Sequence, residues 1–112
     1  AMRQLGNGLT EADHDEDALS VKEAELSTMR RFGDAESNLL IAQTNLACTY
    51  QSLRRYEESN CLRRDVYSAY LRLYGEEHER TLTGANNHAN SLLILKHFEE
   101  IIWKFKEHSK NM

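Results

Sequence analysis

The stretch that decides the fold occurs twice: residues 45–59 read NLACTYQSLRRYEES, and residues 87–101 read NHANSLLILKHFEEI. The two copies align at a constant offset of 42 residues, with an asparagine, an alanine, a leucine, an aromatic residue and two glutamates in the same places. The same offset sets Gly33 opposite Gly75. Two collinear copies at one period predict a helical repeat array, with a degenerate first copy before Gly33.

Apolar residues recur three and four positions apart within each copy, which places them on one side of a helix. In the first copy they are Leu39, Leu46, Tyr50 and Leu53, followed by Tyr56, Leu62, Val66, Tyr70 and Leu73. The short step between these two segments predicts a tight turn and antiparallel packing. The whole pattern predicts six helices, at roughly residues 2–11, 15–32, 37–53, 56–74, 80–95 and 98–110.

Small and capping residues predict where these helices end and touch. Gly33 and Gly75 are predicted to end helices in the left-handed conformation, which glycine adopts without a Cβ clash. Asp34 or Ser37 is the predicted cap of the helix that follows Gly33. Ala47 and Ala89 occupy equivalent places in the two copies, where a larger side chain would hold the paired helix away.

Composition bounds the class of protein. The chain has 112 residues, no proline, two cysteines and a formal net charge of −4. The absence of helix breakers favours an all-α fold in a single domain of residues 1–112. No apolar run is long enough to cross a membrane, we expect no secretory signal, and the acidity argues against nucleic-acid binding. Two cysteines without a metal or disulfide spacing suggest a reducing compartment, so a cytoplasmic location is the default expectation.

Several of these residues also carry a family resemblance. Thr81-Leu82 followed by Asn86-Asn87-His88-Ala89 resembles the tetratricopeptide repeat in its longer form, as in kinesin light chains. The segments at 45–50, 55–59 and 73–78 look like the same unit, so the resemblance covers most of residues 15–105. Ile101 and Glu79 depart from it, at a place where a small residue is usual and at one where proline is usual.

The resemblance implies a right-handed α-solenoid of antiparallel helix hairpins, with about two and a half to three repeats. Their approximate bounds are residues 1–33, 34–75 and 76–112. Because such a stack curves, its first helices line a concave groove. The side chains predicted to face that groove are Arg3, Ile41, Asn45, Cys48, Thr83, Asn87 and Asn90.

The groove candidates suggest peptide recognition. An asparagine amide both donates and accepts hydrogen bonds, so it can hold the main chain of an extended peptide whatever its side chains. The resemblance implies this role for Asn45 and Asn87, while a structural or solvated role for both asparagines stays open. Capture of a terminal carboxylate is disfavoured, because it needs cations at positions where this chain has Ile41 and Thr83. The paired arginines, among them Arg63-Arg64, are interpreted as solvated helix faces.

The sequence offers no candidate residues for catalysis or for metal binding. Asp13, Asp15 and Asp17 have the alternate spacing that opens a calcium loop, but Ala18 and Ala24 replace the glycine and the glutamate that such a loop needs. The histidines lack the paired spacing of a helical zinc site, and His88 is interpreted as a partly buried packing residue. We therefore expect no enzyme activity, no metal and no cofactor.

The last predicted helix has apolar residues on more than one face. They are Phe98, Ile101, Ile102, Trp103 and Phe105. One neighbouring helix would satisfy a single stripe, so this helix needs a further partner. A following repeat of a longer protein, a second copy of the chain or a ligand are the alternatives, and a fragment of a longer array is favoured over a homodimer.

Two functions are consistent with these patterns. The first is a non-enzymatic interaction module that binds an extended peptide segment of a partner protein in its groove. The second is a structural or self-associating segment that uses Ile101, Ile102, Trp103 and Phe105.

Overall fold

The computed structural model describes residues 8–110, with side chains from His14 onwards, and in this range the chain folds into four α-helices. Their bounds are Gly8–Arg31 for α1, Glu36–Ser52 for α2, Tyr56–Tyr74 for α3 and Glu79–Lys110 for α4. No strand occurs among the described residues. The all-α class predicted from composition is confirmed, whereas the predicted number of six helices is wrong.

The difference lies in two turns that do not form. The predicted helices at 80–95 and 98–110 are one continuous helix of 32 residues, and the predicted break between residues 11 and 15 lies inside α1. Residues 2–7 of the first predicted helix lie outside the described part. At the two predicted breaks, residues 11–15 and 95–98 contain neither glycine nor proline, so nothing there interrupts the hydrogen-bond ladder.

The turn between α2 and α3 shows what the later segment lacks. It places Arg54 at a φ of 61°, a conformation that costs a non-glycine residue about 1–2 kcal/mol. Packing of α3 against α2 offsets this cost, and it includes a buried hydrogen bond from Ser59 to the main chain of α2. The equivalent of Ser59 in the second copy is Ile101, which has no hydroxyl and is larger. The straight helix is therefore the lower-energy course there.

Glycines end α1 and α3 as the sequence predicts. Gly33 has a φ of 70° and Gly75 a φ of 85°. After α1, the N–H of Asp34 donates to the carbonyl oxygen of Met29 at 3.0 Å, and the N–H of Gly33 donates to that of Arg30 at 3.3 Å. These two bonds form a Schellman motif, which satisfies carbonyls that the helix end leaves unpaired.

The cap predicted for α2 is wrong in detail. Ala35 is the residue at the N-cap position, and no side chain caps the helix. The Asp34 carboxylate instead accepts hydrogen bonds from the N–H of Ala35 at 2.8 Å and from the side-chain amide of Asn38 at 2.9 Å. Ser37 lies within the first turn. Asp34 thus orders the entry to the helix from one residue earlier than a cap would.

Each helix packs mainly on the next one along the chain, in antiparallel fashion. Leu19, Leu26, Leu46 and Tyr50 form one buried cluster between α1 and α2, and Leu40, Val66 and Tyr70 form a second between α2 and α3. The radius of gyration is 17.1 Å, whereas a compact domain of this length has about 13 Å. The helices therefore form a layered, extended body that measures 54 × 40 × 24 Å.

The two equivalent alanines differ in their surroundings. Ala47 is fully buried, which confirms close packing of α2 against its neighbour. Ala89 is exposed, so the contact predicted for it is wrong. Within residues 8–110 no second segment turns back across Ala89, because α4 continues as one helix to Lys110. The buried residues of α4 are instead Thr81, Gly84 and Ser91.

Candidate functional site

A cleft of about 450 Å³ lies between α2 and α4 above α3. Val66 and Tyr70 of α3 form its apolar floor, because the i, i+4 spacing turns both side chains to the same side. Its walls carry Ile41 and Thr44 from α2 and Thr83, Gly84 and Asn87 from α4. The sequential packing of three helices thus leaves an open channel over the middle one.

Three of the predicted groove residues meet in this cleft, namely Ile41, Thr83 and Asn87. Asn45 is exposed and lines a separate cleft of about 290 Å³ between α1 and α2, which Ile41 also borders. The structure therefore does not bring Asn45 and Asn87 into one depression. Cys48 and Asn90 are exposed and line neither cleft, and Arg3 lies outside the described residues.

Arg63 of α3 also lines the cleft, although the sequence pattern suggests only a solvated arginine pair there. Its Nε is buried and has no hydrogen-bond partner within the described part of the chain. Its Nη2 lies 3.5 Å from the Sγ of Cys48, which is a weak acceptor. The helical spacing from Arg63 to Val66 and Tyr70 places all three on one face, and that signal could have identified Arg63 as a residue of the cleft.

Three polar residues, His78, Glu79 and Arg80, close one end of the cleft. The backbone N–H of Arg80 donates to Nδ1 of His78 at 3.0 Å, so the proton of the neutral imidazole lies on Nε2. The His78 ring stacks on Tyr74 with centroids 4.5 Å apart. The guanidinium of Arg80 lies 5.9 Å from the same ring, within the range of a cation–π contact. This end is therefore ordered by local contacts.

The opposite face carries a larger cleft of about 550 Å³ between α1 and α3. Part of its polar lining is paired: the Tyr50 hydroxyl donates to Glu23 at 3.1 Å, and Glu58 accepts two hydrogen bonds from Arg55. Burial, followed by the hydrogen bond to Glu23, raises the pKa of Tyr50 above its usual value. Among the described residues, the buried side-chain nitrogen without a partner, Nε of Arg63, lies in the cleft over α3 and not in this one.

The residues weighed for metal chemistry are dispersed. Asp15 and Asp17 lie within the continuous helix α1, where the backbone cannot form a calcium-binding loop. His88 is half-buried, and its ring lies 6.3 Å from that of Tyr67, which confirms it as a packing residue. Among the described residues, no three His, Cys, Asp or Glu side chains are grouped so that they could hold a metal ion.

None of the helices in the described range is long and apolar enough to cross a membrane. Comparison of the chain with models of protein families, with curated proteins and with solved structures finds no match. The geometry of the clefts and of α4 is therefore the basis on which a function can be argued.

Proposed function

We propose that this chain is a tetratricopeptide-like α-solenoid that holds an extended segment of a partner protein in the cleft above α3. The sequential antiparallel packing of the helices and the extended shape support the solenoid. A glycine with a positive φ ends both α1 and α3, and the two glycines are separated by the 42-residue offset, which supports two repeats of one kind.

The observation that carries the function is the combination of apolar and polar groups in the cleft. Val66, Tyr70 and Ile41 offer apolar contact to side chains of a ligand. Asn87 supplies a donor and an acceptor, and Arg63 supplies a buried Nε–H without a partner among the described groups. An extended peptide exposes unpaired carbonyl and N–H groups, which these side chains can satisfy. Such a cleft is suited to the recognition of a peptide segment.

A peptide array of extended segments tests this proposal. Binding to the unaltered chain is compared with binding to Asn87→Ala and to Arg63→Met, which keeps most of the aliphatic length of the arginine side chain. Asn90→Ala is the matched control, because Asn90 lies on the same helix, is exposed and is outside the cleft. We expect at least about a fivefold loss of affinity for each cleft variant, and none for the control.

The outcome that rejects the proposal is equally specific. If both cleft variants remain folded by circular dichroism and bind every selected peptide as the unaltered chain does, the cleft above α3 is not the binding site. Weaker binding by Asn45→Ala alone would contradict the proposal too, because it would assign the peptide to the cleft between α1 and α2.

A second candidate function is self-association, and the exposed apolar residues of α4 favour it. Ile101, Trp103 and Phe105 are each more than half exposed, and Ile102 is exposed by 37%. Exposed apolar residues clustered in this way near the end of a helix are typical of a protein interface. Light scattering over a range of concentrations tests this candidate, and a strict monomer at the highest concentration would reject it.

The expected compartment follows from the cysteines. Cys48 and Cys61 are both free and exposed, and exposed thiols persist in a reducing environment. We therefore propose a cytoplasmic site of action. A redox-sensitive fluorescent fusion of this chain, followed in cells, would test the location.

A further inference from the structure

Each of the two end helices of the layered body exposes an apolar face. α1 packs on α2, and α4 packs on α3. On α4, Leu82, Ala89 and Leu93 follow one another at steps of seven and four residues, so they lie on one side of the helix. That side is opposite Gly84 and Ser91, which are buried against α3. Leu82 is 58% exposed and Leu93 is 66% exposed. We name Leu82, Ala89 and Leu93 the outer face of α4.

The outer face of α4 has the sequence of a face that contacts another helix. The 42-residue offset sets Leu82 opposite Leu40 and Ala89 opposite Ala47. In α2, both Leu40 and Ala47 are buried where α3 packs on them. α4 therefore keeps the face on which a further antiparallel helix would pack, whereas within residues 8–110 no helix follows it.

α1 and α3 pack in the same way on the helix that follows each of them. Leu26 of α1 shares a buried cluster with Leu46 of α2. Tyr67 of α3 stacks on the residue of α4 that the 42-residue offset sets opposite Leu46. Leu26 thus corresponds to Tyr67. Eight residues earlier in both helices, Ala18 of α1 therefore takes the place that Ser59 has in α3, where Ser59 meets the preceding helix.

The side of α1 that carries Ala18 is open. Ala18, Val21, Glu25 and Met29 follow one another at steps of three and four residues, so they share this side, which we name the outer face of α1. Val21 is 57% exposed. Val21, Glu25 and Met29 also line a shallow, largely apolar hollow of about 520 Å³. The outer face of α1 can therefore receive exposed apolar side chains.

Charges near the two outer faces are complementary when the helices are antiparallel. With the alanines of the two faces side by side, Arg31 at the end of α1 lies level with Glu76, just before α4. Asp15 then lies about one turn from Lys96. Within the part of the chain that the structure describes, none of these four residues belongs to a salt bridge. A parallel pair would bring Arg31 to the lysines near the end of α4, and like charges would repel.

We propose that copies of this chain associate head to tail, with the outer face of α4 of one copy packed in antiparallel fashion on the outer face of α1 of the next. α1 of the second copy then supplies the helix that α4 lacks, so the sequential packing of helices continues from one copy to the next. Because two different faces meet, each end of the assembly keeps one free face, and the assembly grows without closing. This inference goes beyond the functions proposed above, since it uses neither the cleft above α3 nor the apolar end of α4.

Two variants that each block one face test the contact. Ala89→Arg blocks the outer face of α4, Val21→Arg blocks that of α1, and Ser68→Arg on α3 is the matched control. All three positions are exposed, so the fold is kept, and circular dichroism verifies it. In sedimentation velocity, we expect the unaltered chain and the control to form oligomers whose mean mass rises with concentration. Each face variant alone should associate at least about tenfold more weakly.

The decisive sample is an equimolar mixture of the two face variants. The Ala89→Arg chain keeps a free outer face of α1, and the Val21→Arg chain keeps a free outer face of α4. One chain of each kind can therefore still meet through the two unaltered faces. We expect the mixture to form a dimer and to grow no further, because both faces that remain at its ends are blocked.

Charge reversal tests the antiparallel order. Arg31→Glu sets a glutamate level with Glu76, so we expect association to weaken at least about threefold. Adding Glu76→Arg to that variant restores opposite charges, and the original dissociation constant should return. If neither change alters the association, the antiparallel order is wrong.

The possible results separate this inference from the functions proposed above. A mixture that pairs while neither face variant pairs alone supports the head-to-tail contact. A Val21→Arg chain that associates as tightly as the unaltered chain overturns it. Association that Phe105→Ser abolishes and Ala89→Arg leaves intact also overturns it, and assigns self-association to the apolar end of α4 instead. A chain that stays monomeric at every concentration overturns both kinds of association and leaves peptide binding in the cleft above α3 unaffected.

Discussion

The hydroxyl of Ser59 in α3 donates a hydrogen bond of 2.9 Å to the backbone carbonyl oxygen of Ala47 in α2. Ser59 is 1% exposed and Ala47 is fully buried. A hydroxyl on so short a side chain can reach the carbonyl oxygen of a neighbouring helix only where the two backbones approach closely. The next pair of helices uses the same device, since buried Thr81 of α4 donates to the carbonyl oxygen of Tyr70 in α3 at 3.1 Å. Small hydroxyl residues therefore join successive helices in this fold.

Ser59→Ala should lower the free energy of unfolding by about 1 kcal/mol, because it removes one buried hydrogen bond while the Ala47 carbonyl keeps its partner within the helix. Ser68→Ala is the matched control on the same helix, since Ser68 is exposed and the change should have almost no effect. Urea unfolding followed by circular dichroism measures both. Equal stabilities of the two variants would show that the hydrogen bond contributes nothing.

Arg54→Gly should raise the free energy of unfolding by about 0.5–1 kcal/mol. Arg54 has a φ of 61° at the end of α2, where glycine avoids the Cβ clash but loses more entropy on folding. The N–H of Arg55 donates to the Tyr50 carbonyl at 2.8 Å, so the turn repeats the Schellman motif found after α1.

The reverse change is the control for Arg54. Gly33→Ala introduces a Cβ at a φ of 70° in the same motif and should lower the free energy of unfolding by about 1 kcal/mol. Thermal melting of both variants beside the unaltered chain measures the difference. A loss of stability in Arg54→Gly would mean that contacts of the arginine side chain outweigh the relief of its backbone.

Gly84→Leu should lower the free energy of unfolding by about 1–3 kcal/mol, because even a Cβ at this position lies 3.4 Å from the Cα of Tyr67 and from the Tyr70 ring. Ala89→Leu, one helix face away, is the matched control and should have little effect, since Ala89 is exposed. Chemical unfolding compares them. A large loss in Ala89→Leu would instead indicate that the end of α4 folds back over Ala89 as a hairpin.

The sequence pattern predicts the helices that lie inside one complete repeat and fails where a turn depends on tertiary contacts. The bounds of α2 and α3 lie within a residue or two of the predicted ones, because periodicity specifies both helices and glycines lie before α2 and after α3. The turn predicted near residue 96 has no glycine to specify it. The prediction came only from the alignment of residue 96 with residue 54 of the other copy. Whether a non-glycine turn forms depends on packing energy, which a pattern does not contain.

The candidate site was predicted in part for the same reason. Ile41, Thr83 and Asn87 share a cleft because α2 and α4 flank a common neighbour, α3. Arg63 belongs to the helix between them, so a search limited to first helices omits it. Asn45 and Asn87 line different clefts, because the Asn45 side chain lies on the other side of Ile41, in the cleft between α1 and α2.

Tyr50 should make the stability of the fold sensitive to high pH. Burial and the hydrogen bond to Glu23 raise its pKa in the folded state, whereas in the unfolded chain a tyrosine titrates near about 10. The contribution of the Tyr50 hydroxyl to the free energy of unfolding is therefore complete below that pH. It declines above that pH, since the tyrosine of the unfolded chain loses its proton first. Tyr50→Phe should cost about 1 kcal/mol at neutral pH and should flatten the decline at alkaline pH. Urea unfolding at a series of pH values measures this, with exposed Tyr74→Phe as the control, and an identical pH profile for both variants would contradict the assignment.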